Sequence, residues 1–156
     1  MKTQRGFTLA ETLVVIAIIS ILSAIALPVF YKFQTSAKYK EAAWGVSSGL
    51  RLGKQMALST NREHRMEFDL DGRRYRVSRG NLPSGSTTWT GVNAWTALSA
   101  EVNWSSGAAC NGTADFDIIF RPNGSSETEV LCVKDASNAV KYTVSVNATS
   151  GRAVIN

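Results

Sequence analysis

Glu11 is the residue of this chain whose position most needs a chemical explanation. It stands directly before twenty uncharged residues, Thr12 to Tyr31, which is the length that a helix needs to cross a bilayer. An ionisable group at the edge of such a run is costly, and it is by default a functional residue whose partner has to be found. A carboxylate in apolar surroundings attracts a cation, so the chemistry predicted for Glu11 is ion pairing.

His64 is the one histidine in the chain, and no activated serine or cysteine motif accompanies it. We expect an exposed residue at the start of a strand, because nothing in the sequence pairs it with a nucleophile. No two carboxylates have a diagnostic spacing, and no C-x-x-C pair exists to hold a metal. The sequence therefore predicts a protein that is not an enzyme and has no cofactor and no metal site.

The two cysteines, Cys110 and Cys132, are expected to form one disulfide. Lys2 and Arg5 precede the apolar run and favour a cytoplasmic N-terminus, which places both cysteines on the oxidising side of the membrane. Such a bond closes a loop of about twenty residues and contributes about 3 kcal/mol. The alternative is a pair of buried free thiols.

Helical spacing continues beyond the apolar run without a break signal. Apolar residues recur at steps of three and four from Tyr39 to Ala57, and charged residues take the other faces. We predict one helix over about 7–58, apolar all round in its first half and amphipathic in its second. Gly45, Gly49 and Gly53 fall on one stripe of that second half, where each weakens a soluble helix by up to about 1 kcal/mol. The stripe indicates close approach of the domain's own sheet or of a neighbouring helix, unless the glycines are merely tolerated.

A β-hairpin is predicted directly after the helix, since Asp71-Gly72 separates two alternating segments. In the expected register, Phe68 faces Tyr75 on the apolar side. On the other side Asp69–Arg74 and Glu67–Arg76 form opposite-charge pairs, each worth a few tenths of a kcal/mol. Read linearly, the hairpin arginines suggest a nucleic-acid patch, but the pairing favours a salt-bridged sheet face. The formal net charge of +5 is too small to argue for nucleic acid by itself.

The segment from Gly80 to Phe120 lacks lysine and arginine and is rich in Ser, Thr, Gly, Asn and Trp. We expect a loop region with short strands near 94–99 and 101–104, and tryptophans that cover the edge of the domain's own core. After it, alternation predicts strands over 116–120, 127–134, 140–147 and 152–156. They would form an antiparallel meander whose apolar face packs on the amphipathic half of the helix. The fold class is therefore α+β.

Gly6-Phe7, with Glu11 in the fifth place after the glycine and the apolar run behind it, resembles the prepilin signal of type IV pilins and type II secretion pseudopilins. The resemblance implies a type IV pilin fold, with a long N-terminal helix packed on a C-terminal antiparallel sheet. It implies cleavage after Gly6 by prepilin peptidase, methylation of the new N-terminal Phe7, and a role for Glu11 in subunit assembly. The expected domains are a leader (1–6), a hydrophobic half-helix (7–31) and a periplasmic globular domain (32–156).

The same resemblance sets the expected partners and location. The partners would be other pilins or pseudopilins, prepilin peptidase, the inner-membrane assembly platform, and membrane lipid before assembly. The protein would sit in a bacterial inner membrane with a single pass and its C-terminal domain in the periplasm, and then enter a pilus or pseudopilus. Two other interpretations of residues 1–31 are a secretory signal cut at the A-x-A motif Ala24 to Ala26, and an uncleaved anchor.

The segment from Phe120 to Gly124, together with the terminal Gly151-Arg152, is similar to the H-type pseudopilin and minor-pilin group, the GspH, FimT and FimU families. The predicted function is a minor pilin that assembles into a type IV pilus, in its priming or tip complex. The alternatives are the H-type pseudopilin of a type II secretion system and a DNA-binding pilin. The DNA-binding alternative would use Arg152, with Arg79, Lys134 and Lys141, although the family's second arginine is replaced by Val154.

Overall fold

The computed structural model describes residues 8–156, and one helix runs through its first third. Helix α1 comprises Leu9–Thr60, so it ends two residues beyond the predicted 58 and contains Pro28. The predicted start at Phe7, the cleavage site Gly6–Phe7 and the leader 1–6 lie outside the described residues. By their contacts the residues fall into two compact units, one up to Ala37 and one over Lys38–Asn156.

In the first unit, α1 is the one element among the described residues, and its apolar side chains are exposed. An 18-residue window of α1 has a mean hydropathy of 2.9 and none of it is buried, so the helix is long and apolar enough to cross a membrane. Leu13, Ile16 and Ile19 illustrate this with exposed fractions of 60%, 56% and 56%. An exposed apolar surface of this extent marks a contact with lipid or with protein.

In the second unit, one face of α1 lies on the sheets. Its buried residues follow helical spacing: Tyr39, Ala42, Ala43, Val46, Ser47, Leu50, Gly53 and Ala57. The glycine stripe explains how the sheet can come so close. A Cβ at Gly49 would lie 2.9 Å from Cε of Met66, and one at Gly53 would lie 3.3 Å from Cδ2 of Phe120. Of the alternatives for this stripe, close approach of the domain's own sheet is the one that the structure has.

Nine strands follow the helix, and they form two antiparallel sheets. Their bounds are β1 (His64–Asp69), β2 (Arg74–Gly80), β3 (Trp89–Gly91), β4 (Thr96–Ala97), β5 (Asn103–Ser106), β6 (Phe116–Phe120), β7 (Val130–Lys134), β8 (Val140–Asn147) and β9 (Arg152–Ile155). The first sheet has the order β3-β2-β1-β6, with β4 also paired to β2, and the second has the order β5-β7-β8-β9.

The predicted hairpin β1–β2 is confirmed in register. Phe68 faces Tyr75, Glu67 faces Arg76, and Asp69 faces Arg74. The turn differs in detail from the expected two-residue type, since the left-handed residue is Arg73, with φ of 49°. The side chain of Asp69 accepts a hydrogen bond of 2.6 Å from the backbone N–H of Gly72, which stabilises the turn.

The expectation of a single meander was wrong at the connection between β6 and β7. Strand β6 pairs with β1, where Phe116 lies opposite Phe68 and Ile118 opposite Met66, whereas β7 pairs with β5 and β8. The turn at Pro122 to Gly124 therefore carries the chain from the first sheet to the second. Alternation assigns side chains to the two faces of a sheet but does not determine which strand lies next to β6.

The segment between β3 and β6 is held by tryptophans and by the disulfide. Cys110 and Cys132 are bonded, with Cα atoms 5.6 Å apart, so the pairing is the predicted one and the free-thiol alternative is wrong. Trp104 is buried and its indole N–H donates to the carbonyl oxygen of Leu70 at 3.0 Å. Trp89 and Trp95 cover arginines of the hairpin rather than the apolar core, at 4.6 Å from Arg65 and 4.4 Å from Arg76.

Replacement of Gly53 tests the close packing of α1 on the first sheet. We expect Gly53→Val to lower the free energy of unfolding by about 1–3 kcal/mol, because the buried ring of Phe120 has no room to move away. Urea unfolding of the full chain in detergent micelles measures the change. The control is Ser48→Val on the exposed face of the same helix, expected within about 0.5 kcal/mol of the parent. Equal effects of the two substitutions would contradict this packing.

Candidate functional site

Glu11 lies in the first turn of α1 and forms a reciprocal cap with Thr8. Its Oε2 accepts hydrogen bonds from the backbone N–H of Thr8 at 2.9 Å and from the Thr8 hydroxyl at 3.0 Å. The Thr8 hydroxyl oxygen in turn accepts from the backbone N–H of Glu11 at 3.2 Å. This is the capping box S/T-x-x-E, in which side chains satisfy the amides that a helix N-terminus leaves free. Thr8 was not among the predicted functional residues, although the T-x-x-E spacing of Thr8 and Glu11 indicates such a cap.

The cap does not saturate the Glu11 carboxylate. Among residues 8–156, no hydrogen bond reaches its Oε1, and no cationic side chain lies within ion-pair distance of it. The residues around it are apolar and exposed, including Leu13 and Val14 at 60% and 58%. The first turns of α1 thus present a single anionic oxygen on an apolar surface. Chemically, this arrangement can take one cation when a partner covers the surface.

His64 is not the exposed strand residue that we expected. It is fully buried, because it shares the inner face of β1 with Met66 and Phe68 at the two-residue spacing of a strand. Its Nδ1 lies 3.2 Å from the carbonyl oxygen of Arg62, which fixes the neutral tautomer with the proton on Nδ1. Its Nε2 is buried and has no hydrogen-bond partner among residues 8–156. A ring enclosed in this way is poorly placed to reach a substrate.

The electrostatics around His64 favour its neutral form. Burial lowers the pKa of His64, and the nearby Arg79 charge acts in the same direction, while the hydrogen bond to Arg62 opposes both. The neighbouring Glu63 is also buried, but its carboxylate accepts backbone N–H groups of Gly85 and Ser86 at 3.1 and 2.8 Å. Glu63 therefore fastens a loop. Within residues 8–156, no group of three or more His, Cys, Asp or Glu side chains is arranged to hold a metal.

Three arginines of the hairpin, Arg65, Arg74 and Arg76, are engaged within the domain. Nε of Arg76 lies 2.5 Å from Oε2 of Glu67, and Nε of Arg74 lies 2.7 Å from Oδ2 of Asp69. Arg65 contacts both Glu67 and Asp117 at 2.7 Å. The hydrogen bonds from Arg76 and Arg65 help to hold the pKa of Glu67 below its usual value despite burial. The predicted salt-bridged sheet face is present, and these cations are not free for a polyanion.

The four candidates for nucleic-acid contact are not assembled into one patch. Nζ of Lys141 pairs with Asp135 at 3.0 Å, and Nζ of Lys134 donates to the carbonyl oxygen of Cys110 at 2.5 Å. Arg79 lies on β2, in the other sheet. Arg152 opens β9 and lines a groove with Arg51 and Lys54 of α1. A nucleic-acid contact of Arg152 stays a prediction.

The first 27 residues match the family model of the prokaryotic N-terminal methylation motif. The fimbrial protein of Moraxella nonliquefaciens is 44% identical over 64 residues, which is 41% of this chain and 38% of that protein. The type IV major pilin protein PilA of Myxococcus xanthus is 60% identical over 39 residues, 25% of this chain and 18% of PilA. The matches thus span well under half of each relative.

Solved structures resemble the chain over most of its length. The minor pseudopilin EpsH of the Vibrio cholerae type 2 secretion system superposes with a TM-score of 0.60, 12% identity and coverage of 76% of this chain and 96% of EpsH. The Pseudomonas aeruginosa type IV minor pilin FimU superposes with a TM-score of 0.57 and 16% identity, and the match covers 80% of this chain and 92% of FimU. The chain has the type IV pilin fold. Escherichia coli GspH has the same fold. It superposes with a TM-score of 0.58 and 13% identity, and the match covers 78% of this chain and 89% of GspH.

The comparisons establish the fold and the N-terminal motif, and they agree with the resemblance found in the sequence. The motif covers Gly6, Phe7 and Glu11. The predicted long helix packed on antiparallel strands is present in this chain, and the fold neighbours superpose on 76% and 80% of it. Because these structures are only 12–16% identical to this chain, they do not assign a role to Glu11 or to Arg152.

The single histidine makes the pH dependence of stability a test of the burial of His64. Because its pKa is lower in the folded than in the unfolded state, the unfolded chain binds a proton first as the pH falls. Stability should be full above about pH 6.5 and should decrease below it by up to about 1.4 kcal/mol per pH unit, until the pH reaches the folded pKa. Urea unfolding of the full chain in micelles between about pH 7.5 and 5 measures this.

The matched control for that measurement is His64→Phe, which fills the same buried position without a titratable ring. Its stability should be flat over the same window. A slope that persists in His64→Phe, or a flat profile in the parent chain, would contradict the burial of a neutral His64.

Proposed function

We propose that this chain is a subunit of a type IV pilus or of a related pseudopilus. Cleavage after Gly6 frees Phe7, whose amino group is methylated, and the apolar half of α1 stays on the mature protein. The observation that carries the proposal is the combination of the N-terminal methylation motif over residues 1–27 with an exposed apolar helix on a type IV pilin fold. A secretory signal removed near Ala26 would discard most of the apolar half of this helix.

Glu11 has a specific role in this proposal. Once Gly6 is removed, each subunit presents an N-terminal ammonium a few residues from its own Glu11, and neighbouring subunits bring the two groups into one apolar layer. An unpaired charge there is heavily penalised, whereas a paired one is stabilised by short-range attraction in a low dielectric. The Oε1 atom of Glu11, to which no residue of 8–156 donates a hydrogen bond, is the acceptor for that ammonium.

Because every subunit carries the same two charges, their pairing can set the register as a subunit docks. The exposed apolar side chains around Glu11 add van der Waals contacts that are not directional. These side chains are Leu13, Val14, Ile16, Ile18 and Ile19. The charged pair then supplies the specificity that the apolar surface lacks.

Before assembly the apolar half of α1 lies in the bacterial inner membrane. Lys2 and Arg5 favour a cytoplasmic N-terminus and hence a periplasmic globular domain over residues 32–156. The partners in this scheme are prepilin peptidase, the inner-membrane assembly platform, membrane lipid and other pilins. The first candidate role is that of a minor pilin in the priming or tip complex of a pilus. The second is that of the H-type pseudopilin of a type II secretion system, and the fold that this chain shares with EpsH and GspH supports it.

Two substitutions separate the charge of Glu11 from its capping role. Glu11→Gln keeps an oxygen that can accept from the Thr8 amide but removes the negative charge. We expect incorporation into filaments to fall by about tenfold or more, because breaking a buried ion pair costs about 3–5 kcal/mol. Membrane insertion and cleavage should be retained. Quantitative immunoblots of membrane and sheared-filament fractions measure the ratio.

The matched variant is Thr8→Ala, which removes the cap and leaves the carboxylate free to pair. It should be incorporated nearly as well as the parent chain, since loss of a cap costs about 1 kcal/mol. If Thr8→Ala is lost from filaments and Glu11→Gln is retained, Glu11 acts as a helix cap and the proposed ion pair is wrong.

A further inference from the structure

Strand β9 leaves one side of its backbone open. Thr143 and Asn156 exchange both of their backbone hydrogen bonds, at 2.9 Å each, and Val144 lies opposite Ile155 in the same register. In an antiparallel pair, bonded and non-bonded positions alternate, so the N–H and C=O groups of Ala153 and Ile155 point away from β8. Among residues 8–156, no hydrogen bond is made to these four groups outside the ladder.

The other strand edges are short or covered. At the β6 edge, the carbonyl oxygen of Ile119 accepts from the N–H of Glu127, and at the β5 edge, Ser106 forms a bridge with Gly112. Strand β3 has three residues and β4 has two. Within the part of the chain that the structure describes, β9 is therefore the edge at which two successive outward-facing residues, Ala153 and Ile155, have backbone N–H and C=O groups free to bond to a partner strand.

A groove of about 490 Å³ runs between the start of β9 and the last turns of α1. Arg51, Lys54 and Arg152 line it, and no carboxylate among the described residues contributes to its walls or lies within 4.0 Å of these three cations. The stem of Lys54 lies across Gly151, whose positive φ of 56° turns the chain into β9. The turn thus sets the cations beside the open edge.

The groove also has an apolar part. Leu58 of α1, which is 50% exposed, and Ala153 of β9 both line it. Apolar side chains beside a free strand edge suit alternate side chains of an added strand, whose backbone would bond to the edge itself.

We propose that the open edge of β9 binds an extended acidic peptide segment of a partner protein as an added strand. The backbone of the segment bonds to Ala153 and Ile155, and its carboxylates pair with Arg51, Lys54 and Arg152. Nucleic acid would satisfy the three cations but not the alternating amide groups. None of the described residues that line the groove has an aromatic side chain on which bases could stack. The proposal stands apart from the role of the apolar helix in assembly.

The probe is a random dodecapeptide library displayed on phage and panned against the full chain in detergent micelles. We expect enriched peptides to alternate β-branched residues with carboxylates and to bind more weakly as salt is raised. Hydrogen-exchange mass spectrometry with the strongest synthetic peptide should show slower exchange in the C-terminal segment that contains β9. No enrichment of acidic, alternating sequences would overturn the proposal.

Ile155→Pro removes the one outward N–H of that residue and leaves the β8 ladder intact, since proline is tolerated where the amide faces away from the sheet. We expect it to weaken peptide binding by about 2- to 10-fold, the equivalent of one hydrogen bond. The control Ile155→Val keeps the amide and should bind as the parent does. Thermal unfolding verifies that both variants are folded.

Charge variants distinguish the partner classes. Lys54→Gln and Arg152→Gln should weaken peptide binding, and a fluorescent single-stranded oligothymidylate should bind weakly or not at all. If the oligonucleotide binds more tightly than the peptide, and Ile155→Pro leaves that binding unchanged, the groove is a nucleic-acid site and the added-strand proposal is wrong. Peptide binding that is unaffected by both Ile155→Pro and the charge variants would also overturn it.

Discussion

The globular part of this protein depends on how closely α1 approaches the first sheet. Glycine at 45, 49 and 53 lets the rings and the thioether of the sheet contact the helix where side chains would otherwise stand between them. The glycines weaken the helix locally, but the contacts bury Met66, Phe68 and Phe120 almost completely, and burial of such side chains contributes more than the helix loses. The hairpin, β6 and the indole of Trp104 all pack around this contact.

The first unit has the opposite character. Its helix presents large apolar side chains to the surroundings and has one carboxylate near its start, half satisfied by Thr8. In the proposed function, lipid covers this surface first and other subunits cover it afterwards, and the single charge distinguishes these two environments. In lipid the carboxylate can stay near the interface, whereas among packed helices it needs a cation.

The elements that local rules determine were predictable from the sequence. The β1–β2 register followed from the Asp71-Gly72 turn together with alternating charges, and the cysteine pairing followed from compartment and count. The division into two sheets was not predictable, because the choice between β1 and β7 as the neighbour of β6 depends on tertiary packing. The burial of His64 could have been predicted, because it lies two residues before Met66 and so on the same face of the strand. Its polar side chain led us to expect exposure instead. The Thr8 cap was likewise present in the T-x-x-E spacing.

The account rests on retention of the apolar helix after processing at Gly6. Intact-mass and N-terminal peptide analysis of the protein purified from the cell envelope tests this most directly. We predict a chain that begins at Phe7, carries one methyl group on its amino terminus and retains α1. A chain that begins at Leu27, as a secretory signal would leave it, or one that still begins at Met1, would contradict the account.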